Sequence, residues 1–240
     1  MEINKNLFPD IILVNTQLPE NLGATARGML NFKFEKLRLV EPRFSLSNEK
    51  IIPVAAGADN VIKKTKVFKK FSDCVKDFNY LIGTSNRARS IKKHEISLEY
   101  LSKLTQKEKN KFGIVFGPEQ SGLDNETLSL CDFTLKINSN SKFSSLNLSH
   151  AVTLVCHNLY EKFNKEFIKK KNEEFSELAT KEELISFYKI LEKNLNNSSF
   201  FNVKERKKII FQKIKNIFSK SQLSSEDVRI LISVFKKSLN

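Results

Sequence analysis

Apolar positions obey two different rules along these 240 residues. Up to about residue 137, short apolar runs alternate with segments in which apolar side chains recur every three or four positions. The first pattern reads as buried strand and the second as amphipathic helix; their alternation predicts an α/β domain on a parallel sheet. Strands are expected at 11–15, 37–40, 79–83, 113–117 and 133–137, with a weaker one at 66–68. Helices are expected between them at about 20–32, 47–58, 70–77, 98–109 and 124–131.

All seven glycines and all five prolines fall within the first 122 residues, so the rest of the chain lacks punctuation and should be mostly helical. A long helix is predicted from Leu148 towards Phe175, with Val152, Val155, Leu159 and Phe163 on one face. The polar, acidic stretch 173–183 marks a boundary, dividing the chain into a sheet domain, 1–172, and a helical basic extension, 173–240. In the extension, helices are expected near 181–195, 203–219 and 224–238. The last opens on Ser224, Ser225, Glu226 and Asp227, a capping sequence with acids in the first turn. Within 203–219 an apolar stripe of Val203, Ile210, Ile214 and Ile217 is flanked by lysines.

Charge sharpens this picture. The chain carries 41 Lys and Arg against 27 Asp and Glu, a net +14 that suits a polyanionic partner. The segment 203–220 alone holds seven basic residues and one acidic, which makes it a patch rather than an even wash. No apolar run is long enough to suggest a membrane span, and Pro9 and Asp10 interrupt any leader-like layout, so the expected location is the cytoplasm. Cys74, Cys131 and Cys156 are widely spaced with no CxxC pair, which argues against disulfides and zinc. His150 and His157 could share a helix face, but complete no metal constellation, and no metal is expected.

Neither GxGxxG after the first strand nor GxxxxGK[ST] occurs, which disfavours dehydrogenases, P-loop enzymes and methyltransferases with a glycine-rich first turn. Three other segments stand out. Asn21-Leu-Gly23-Ala24-Thr-Ala26-Arg27 follows the first strand, where Asn21 could cap the helix and Arg27 could grip a phosphate at the carboxyl edge of the sheet. A helix-surface arginine explains position 27 at least as well. Phe116-Gly117-Pro118-Glu119-Gln-Ser-Gly122-Leu123 places a glycine-rich turn after a strand, fit either for a small ligand or for an ordinary strand-to-helix turn. Ser144-Ser145-Leu146-Asn147 precedes the long helix, where capping is the simpler reading.

In order and spacing, the three segments together resemble the three motifs of the SpoU (TrmH-like) branch of the SPOUT methyltransferases. The likeness spans essentially the whole chain and includes Ala55-Ala56-Gly57-Ala58 and Gly83-Thr84-Ser85 between motifs. It is greatest to the members that methylate nucleotide 32 of tRNA, whose C-terminal helices Leu184, Phe187, Tyr188 and Leu191 resemble. One departure concerns Lys33, which stands where relatives usually carry glycine, at the end of the first helix. If that residue is left-handed, the lysine costs about 1 kcal/mol. Pro118 stands where some relatives carry a basic residue.

The resemblance implies a parallel sheet whose C-terminal part threads a trefoil knot, and an S-adenosylmethionine-dependent transfer to a ribose 2′-hydroxyl of tRNA by a homodimer. It implies cofactor contacts from Thr84, Ser85, Asn86, Gly117, Ile137, Ser144, Ser145 and Leu146. Arg27 is then the main catalytic residue, with Asn21, Glu119 and Asn147 orienting it. A guanidinium offers donors and no acceptor, so the expected role is to bind the adjacent phosphate and hydroxyl rather than to take the proton. Lys204, Lys207, Lys208 and Lys215 are expected to meet tRNA phosphates. Alternative readings are a ribosomal RNA 2′-O-methyltransferase of the same branch, a non-catalytic RNA-binding factor with the same fold, and a flavodoxin-like small-ligand domain.

Overall fold

A computed structural model describes residues 8–86, 93–105, 110–166, 178–198, 200–201 and 206–237. Among the described residues seven parallel strands form one sheet: β1 (Asp10–Val14), β2 (Leu37–Val40), β3 (Lys66–Phe68), β4 (Tyr80–Thr84), β5 (His94–Ile96), β6 (Phe112–Phe116) and β7 (Phe133–Leu135). Their order is β3-β2-β1-β6-β4-β7-β5. The central strands are buried on both faces, which explains their unbroken apolar runs. Order reverses between β1 and β6, and the crevice beyond their carboxyl ends is where open α/β sheets hold ligands.

One face of the sheet is covered by α1 (Pro19–Asn31), α2 (Ile51–Ala55), α3 (Asp59–Lys64), α5 (Leu98–Thr105) and α7 (Leu148–Glu166). Val152, Val155, Leu159 and Phe163 form the buried stripe of α7, as their spacing predicts. On the other face lie α4 (Phe71–Cys74) and α6 (Asn125–Leu130). All three cysteines are buried and unpaired, and burial pushes the Cys74 and Cys131 thiols up to about 12. Among the described residues no helix is long and apolar enough to cross a membrane.

Several expectations need correction. The helix expected at 47–58 is only the short α2, because Ala56 (φ 44°) and Gly57 (φ 94°) turn left-handed and break the ladder, and α3, which follows the break, was not expected. The edge strand β5 was not expected. Two of its three residues are exposed, so it carries no alternation to read. Residues 106–109, the stretch 167–177, which includes the end of the predicted long helix, and 202–205 lie outside the described residues. Lys33 does adopt φ 63° after the last turn of α1, with its N–H donating to Leu30 O at 3.1 Å. There a side chain costs about 1 kcal/mol that glycine would avoid.

Beyond residue 178 the chain forms α8 (Lys181–Asn197), α9 (Lys207–Lys220) and α10 (Ser225–Lys237). A reciprocal Thr180–Glu183 capping box starts α8, and Ser224 with Asp227 closes a similar pair at α10. Their shared core includes Leu184, Phe187, Tyr188, Leu191 and Phe211. The apolar stripe predicted for α9 is displaced. Ile217 is 62% exposed, whereas Phe211, Ile214 and Phe218 face inward, drawn by an edge-to-face contact of Phe218 with Phe187 at 4.8 Å.

The predicted polar boundary is firmly docked where it is described. Lys181, 1% exposed, places Nζ 2.6 Å from the buried Asp132 carboxylate beside β7. Its backbone N–H donates to Phe78 O at 2.5 Å, and Asn79 Nδ2 donates to Leu178 O at 2.5 Å. The C-terminal helices are thereby tied to the ends of the sheet strands.

Candidate active site

Pro19 at the first helical position starts α1, and no side chain caps it. Asn21 is therefore not the cap expected from its sequence position. Instead its Nδ2 donates to Glu119 Oε1 at 2.7 Å, and its Oδ1 accepts from Asn147 Nδ2 at 3.0 Å. Glu119 is held by a second bond, its Oε2 accepting from the Gln17 N–H at 3.1 Å. Asn147 Oδ1 accepts from Ser149 N and Ser149 Oγ, so this asparagine caps α7, a role that sequence alone had suggested for the serines. One polar chain, Glu119–Asn21–Asn147–Ser149, thus joins three motif segments, with Asn21 lying 98 residues before Glu119 and 126 before Asn147.

Beside that chain lies a cavity of about 150 Å³. It is lined by Thr84, Ser85 and Asn86 after β4, by the turn from Gly117 to Glu119 after β6, and by Ile137, Ser144, Ser145 and Leu146 after β7. Asn86 Nδ2 donates to Ser144 O at 2.6 Å and to Ser139 Oγ at 3.1 Å, clasping two of the loops together. Thr84 Oγ1 donates to Val115 O at 3.0 Å, fixing the end of β4 against β6. Gly117 is required by sterics. A Cβ there would lie 2.3 Å from the Leu123 nitrogen, so any side chain would force the turn apart. Gly23 is required likewise, since its Cβ would meet Ile51 O at 2.2 Å where α1 crosses α2.

Arg27 stands apart from this cavity. The helix after a parallel strand runs back along the sheet, and six residues at about 1.5 Å each carry Arg27 roughly 9 Å along the axis from Asn21. It is exposed, it does not line the cavity, and among the described residues it forms no hydrogen bond or ion pair. Its surroundings are the outer faces of α1 and α7, where Leu30 and Leu154 are also exposed. The expected position at the carboxyl edge of the sheet is thus corrected by the direction of the helix.

A larger hollow of about 360 Å³ lies at the opposite end of the strands. Arg38 there donates from Nε to Asp10 at 2.9 Å and makes a two-pronged pair with Asp77 at 2.8 Å. Although burial opposes ionisation of Asp77, Arg38 and Lys111 hold its carboxyl well below the usual carboxylate range. No residue of the three motif segments lines this hollow, so its size does not make it the reactive site.

The predicted basic face fares unevenly. Lys204 lies outside the described residues. Lys207 pairs with Glu192 at 3.7 Å and Lys208 with Glu126 at 3.2 Å, both at the surface. Lys215 is half-buried over the rings of Phe211 and Tyr188, and burial lowers its pKa from the ordinary lysine value. Sequence missed Lys93, whose Nζ donates to Ser129 O and Ser219 Oγ between α6 and α9 and which burial brings down to about 8. Among the described residues no group of side chains could hold a metal ion.

Comparison with known proteins bears on this geometry. The tRNA (cytidine-2'-O-)-methyltransferase TrmJ of Methanocaldococcus jannaschii is 32% identical over 231 residues, covering 94% of this chain and 97% of the relative. The tRNA (cytidine/uridine-2'-O-)-methyltransferase TrmJ of Photorhabdus laumondii is 30% identical, with 92% of each chain covered. The crystal structure of TrmJ from Z. mobilis ZM4 superposes with a TM-score of 0.88 at 32% identity, over 97% of this chain and 100% of that one. The model of the SpoU rRNA methylase family matches residues 10–157, the span from the first sheet strand to the middle of α7 that contains all three motif segments. By that match and by its full-length relatives, the chain belongs to the SpoU methylase family.

Proposed function

We propose that this chain is a tRNA ribose 2′-O-methyltransferase that uses S-adenosylmethionine and acts at nucleotide 32 of the anticodon loop as a cytoplasmic homodimer. The observation that carries the reading is the joining of three distant motif segments by Glu119, Asn21 and Asn147 beside one cavity. The relatives named as tRNA methyltransferases over nearly their whole length favour tRNA above ribosomal RNA.

The cavity's chemistry fits the cofactor. Its walls combine small hydroxyl side chains, glycine backbone and aliphatic groups with the Asn86 amide and the Glu119 carboxylate, which suit a flat base and a short polar chain. Thr84, Ser85, Asn86, Gly117, Ile137, Ser144, Ser145 and Leu146 would hold it. S-adenosylmethionine supplies the activated methyl group on its sulfonium. The chain between β7 and α7 would pass through the loop after β4 as a trefoil knot, and the Asn86–Ser144 bond is what supports that reading.

The protein's own task is to position the ribose hydroxyl and ease its deprotonation. Arg27 would do so across a dimer interface built from α1 and α7, where its guanidinium meets the partner's cavity. Support comes from the exposed Leu30 and Leu154 on the same helices and from the lack of any described partner for Arg27. Residues 1–172 would be the methyltransferase domain and 173–240 the tRNA-contacting extension.

The test is direct. Purified protein, S-adenosylmethionine and unmodified tRNA are incubated, and 2′-O-methylation is mapped by mass spectrometry, with ribosomal RNA in a parallel reaction. Methylation at nucleotide 32 is expected. Modification of ribosomal RNA alone, or of neither RNA, rejects the reading.

The basic helix provides a separate check. Exposed pairs such as Lys207–Glu192 and Lys208–Glu126 are worth little, so phosphates can displace the carboxylates. Replacing Lys204, Lys207 and Lys208 together should weaken tRNA binding and lower the slope of log affinity against log salt by about 2–3. A slope equal to that of the unaltered protein would remove these lysines from the interface.

A further inference from the structure

Phe143 is 80% exposed, more than any other exposed large apolar side chain of the described fold. It belongs to the loop 136–147, whose next three residues, Ser144, Ser145 and Leu146, line the cavity. Most aromatic rings here find partners: Phe187 packs against Tyr188, Phe218 and Phe235, and Phe8 against Phe34 and Phe163. Among the described residues no ring or cation packs on Phe143.

The loop that carries it is tied down on both sides of the ring. On one side, Lys142 N donates to Asn140 Oδ1 at 2.9 Å and Phe143 N to Asn140 O at 3.0 Å, closing a tight turn. On the other, Ser144 O accepts from Asn86 Nδ2 at 2.6 Å and from Ser139 Oγ at 3.0 Å. Held in this way, the ring has few routes to bury itself and remains offered to solvent. The loop also carries Lys136 and Lys142, both exposed, and no acidic residue.

An exposed aromatic ring in a loop that carries two lysines and no acid suits a nucleobase on its sugar-phosphate strand. Bases of single-stranded loops stack on such rings while lysines meet the phosphates. We infer that Phe143 is a positioning residue for the RNA substrate: it stacks a base next to the target nucleotide and so sets that ribose at the mouth of the cavity. The inference rests on the proposed RNA methylation and adds to it the group that registers the strand. A second copy of this chain is the competing occupant.

The test compares F143A, F143L and F143W with wild type on an anticodon stem-loop carrying 2-aminopurine beside nucleotide 32. Wild-type protein should quench the 2-aminopurine fluorescence on binding. F143A and F143L should lose the quenching and raise the KM for RNA about 10-fold or more, with kcat changed less than about twofold. F143W should restore both readouts, and S-adenosylmethionine affinity and sedimentation should be the same for all four proteins. If F143L matches wild type, bulk rather than stacking is what counts and the proposal fails. It fails equally if F143A sediments as a smaller species, which gives the ring to a second copy, or if cofactor affinity falls in step with RNA affinity. Wild-type protein that methylates no RNA overturns the proposal together with the reading beneath it, whereas active wild type with an equally active F143A overturns Phe143 alone.

Discussion

With Arg27 replaced by alanine, methyl transfer to tRNA falls by about 10²–10³-fold while S-adenosylmethionine binds as before. The magnitude is that of removing one preorganised donor from a site where negative charge develops on oxygen. The unchanged cofactor affinity follows from the division of roles, because the cavity-lining residues would hold the cofactor while Arg27 is directed at the ribose hydroxyl and its phosphate. The position of Arg27 on the outer face of α1 adds a stricter expectation. Two inactive proteins, one carrying Arg27→Ala and the other Gly117→Ala, should regain activity when their subunits exchange. One mixed site would then combine an intact cavity with an intact arginine from the partner. Activity within about tenfold of wild type for Arg27→Ala, or no recovery on mixing, would remove the cross-subunit role. Radiolabel transfer and calorimetric titration of the cofactor measure the two quantities.

Asp132→Ala should be the most damaging substitution away from the site. The carboxylate is buried, takes the Lys181 ammonium at 2.6 Å, and also accepts the Leu81 N–H at 2.7 Å. Truncation leaves an uncompensated buried charge and an orphaned amide, a loss of about 3–5 kcal/mol. A fold of this kind has only about 5–15 kcal/mol to lose. Pairing Asp132→Val with Lys181→Met should recover part of the deficit, because neither charge then remains buried. The share due to the Leu81 amide, about 1–3 kcal/mol, should persist. Urea unfolding of the three proteins gives these values, and a loss below about 1 kcal/mol for Asp132→Ala would show that water or a shifted lysine relieves the charge.

How much could be read in advance depended on how local each cause was. Strands buried on both faces announce themselves as apolar runs, so β1, β2, β4, β6 and β7 were legible. The three-residue edge strand β5 was not, because His94 and Glu95 are exposed. The break between α2 and α3 depends on the left-handed Ala56, a residue that propensity favours inside a helix. At the site, the three motif segments were legible as a set, since their spacing matches a family pattern. The bonds among them were not. Whether Asn21 caps its own helix or reaches Glu119, about a hundred residues on, depends on tertiary placement that no local pattern encodes. In α9, aliphatic periodicity pointed to Ile217, but the aromatic contact of Phe218 with Phe187 sets the helix's rotation. The same rotation lays Lys215 over rings rather than leaving it in water.

Strand order has a consequence for how the chain is made. β1 emerges early, pairs with β2 on one side, and must wait for β6 on the other, in the register Asp10 with Gly113 to Leu13 with Phe116. At synthesis rates of about 5–20 residues per second, the intervening hundred residues take roughly 5–20 s. For that time a strand that is buried on both faces in the finished fold keeps one open edge. The ribosome-bound intermediate is therefore the stage most exposed to misassembly, and the one at which a chaperone has most to protect.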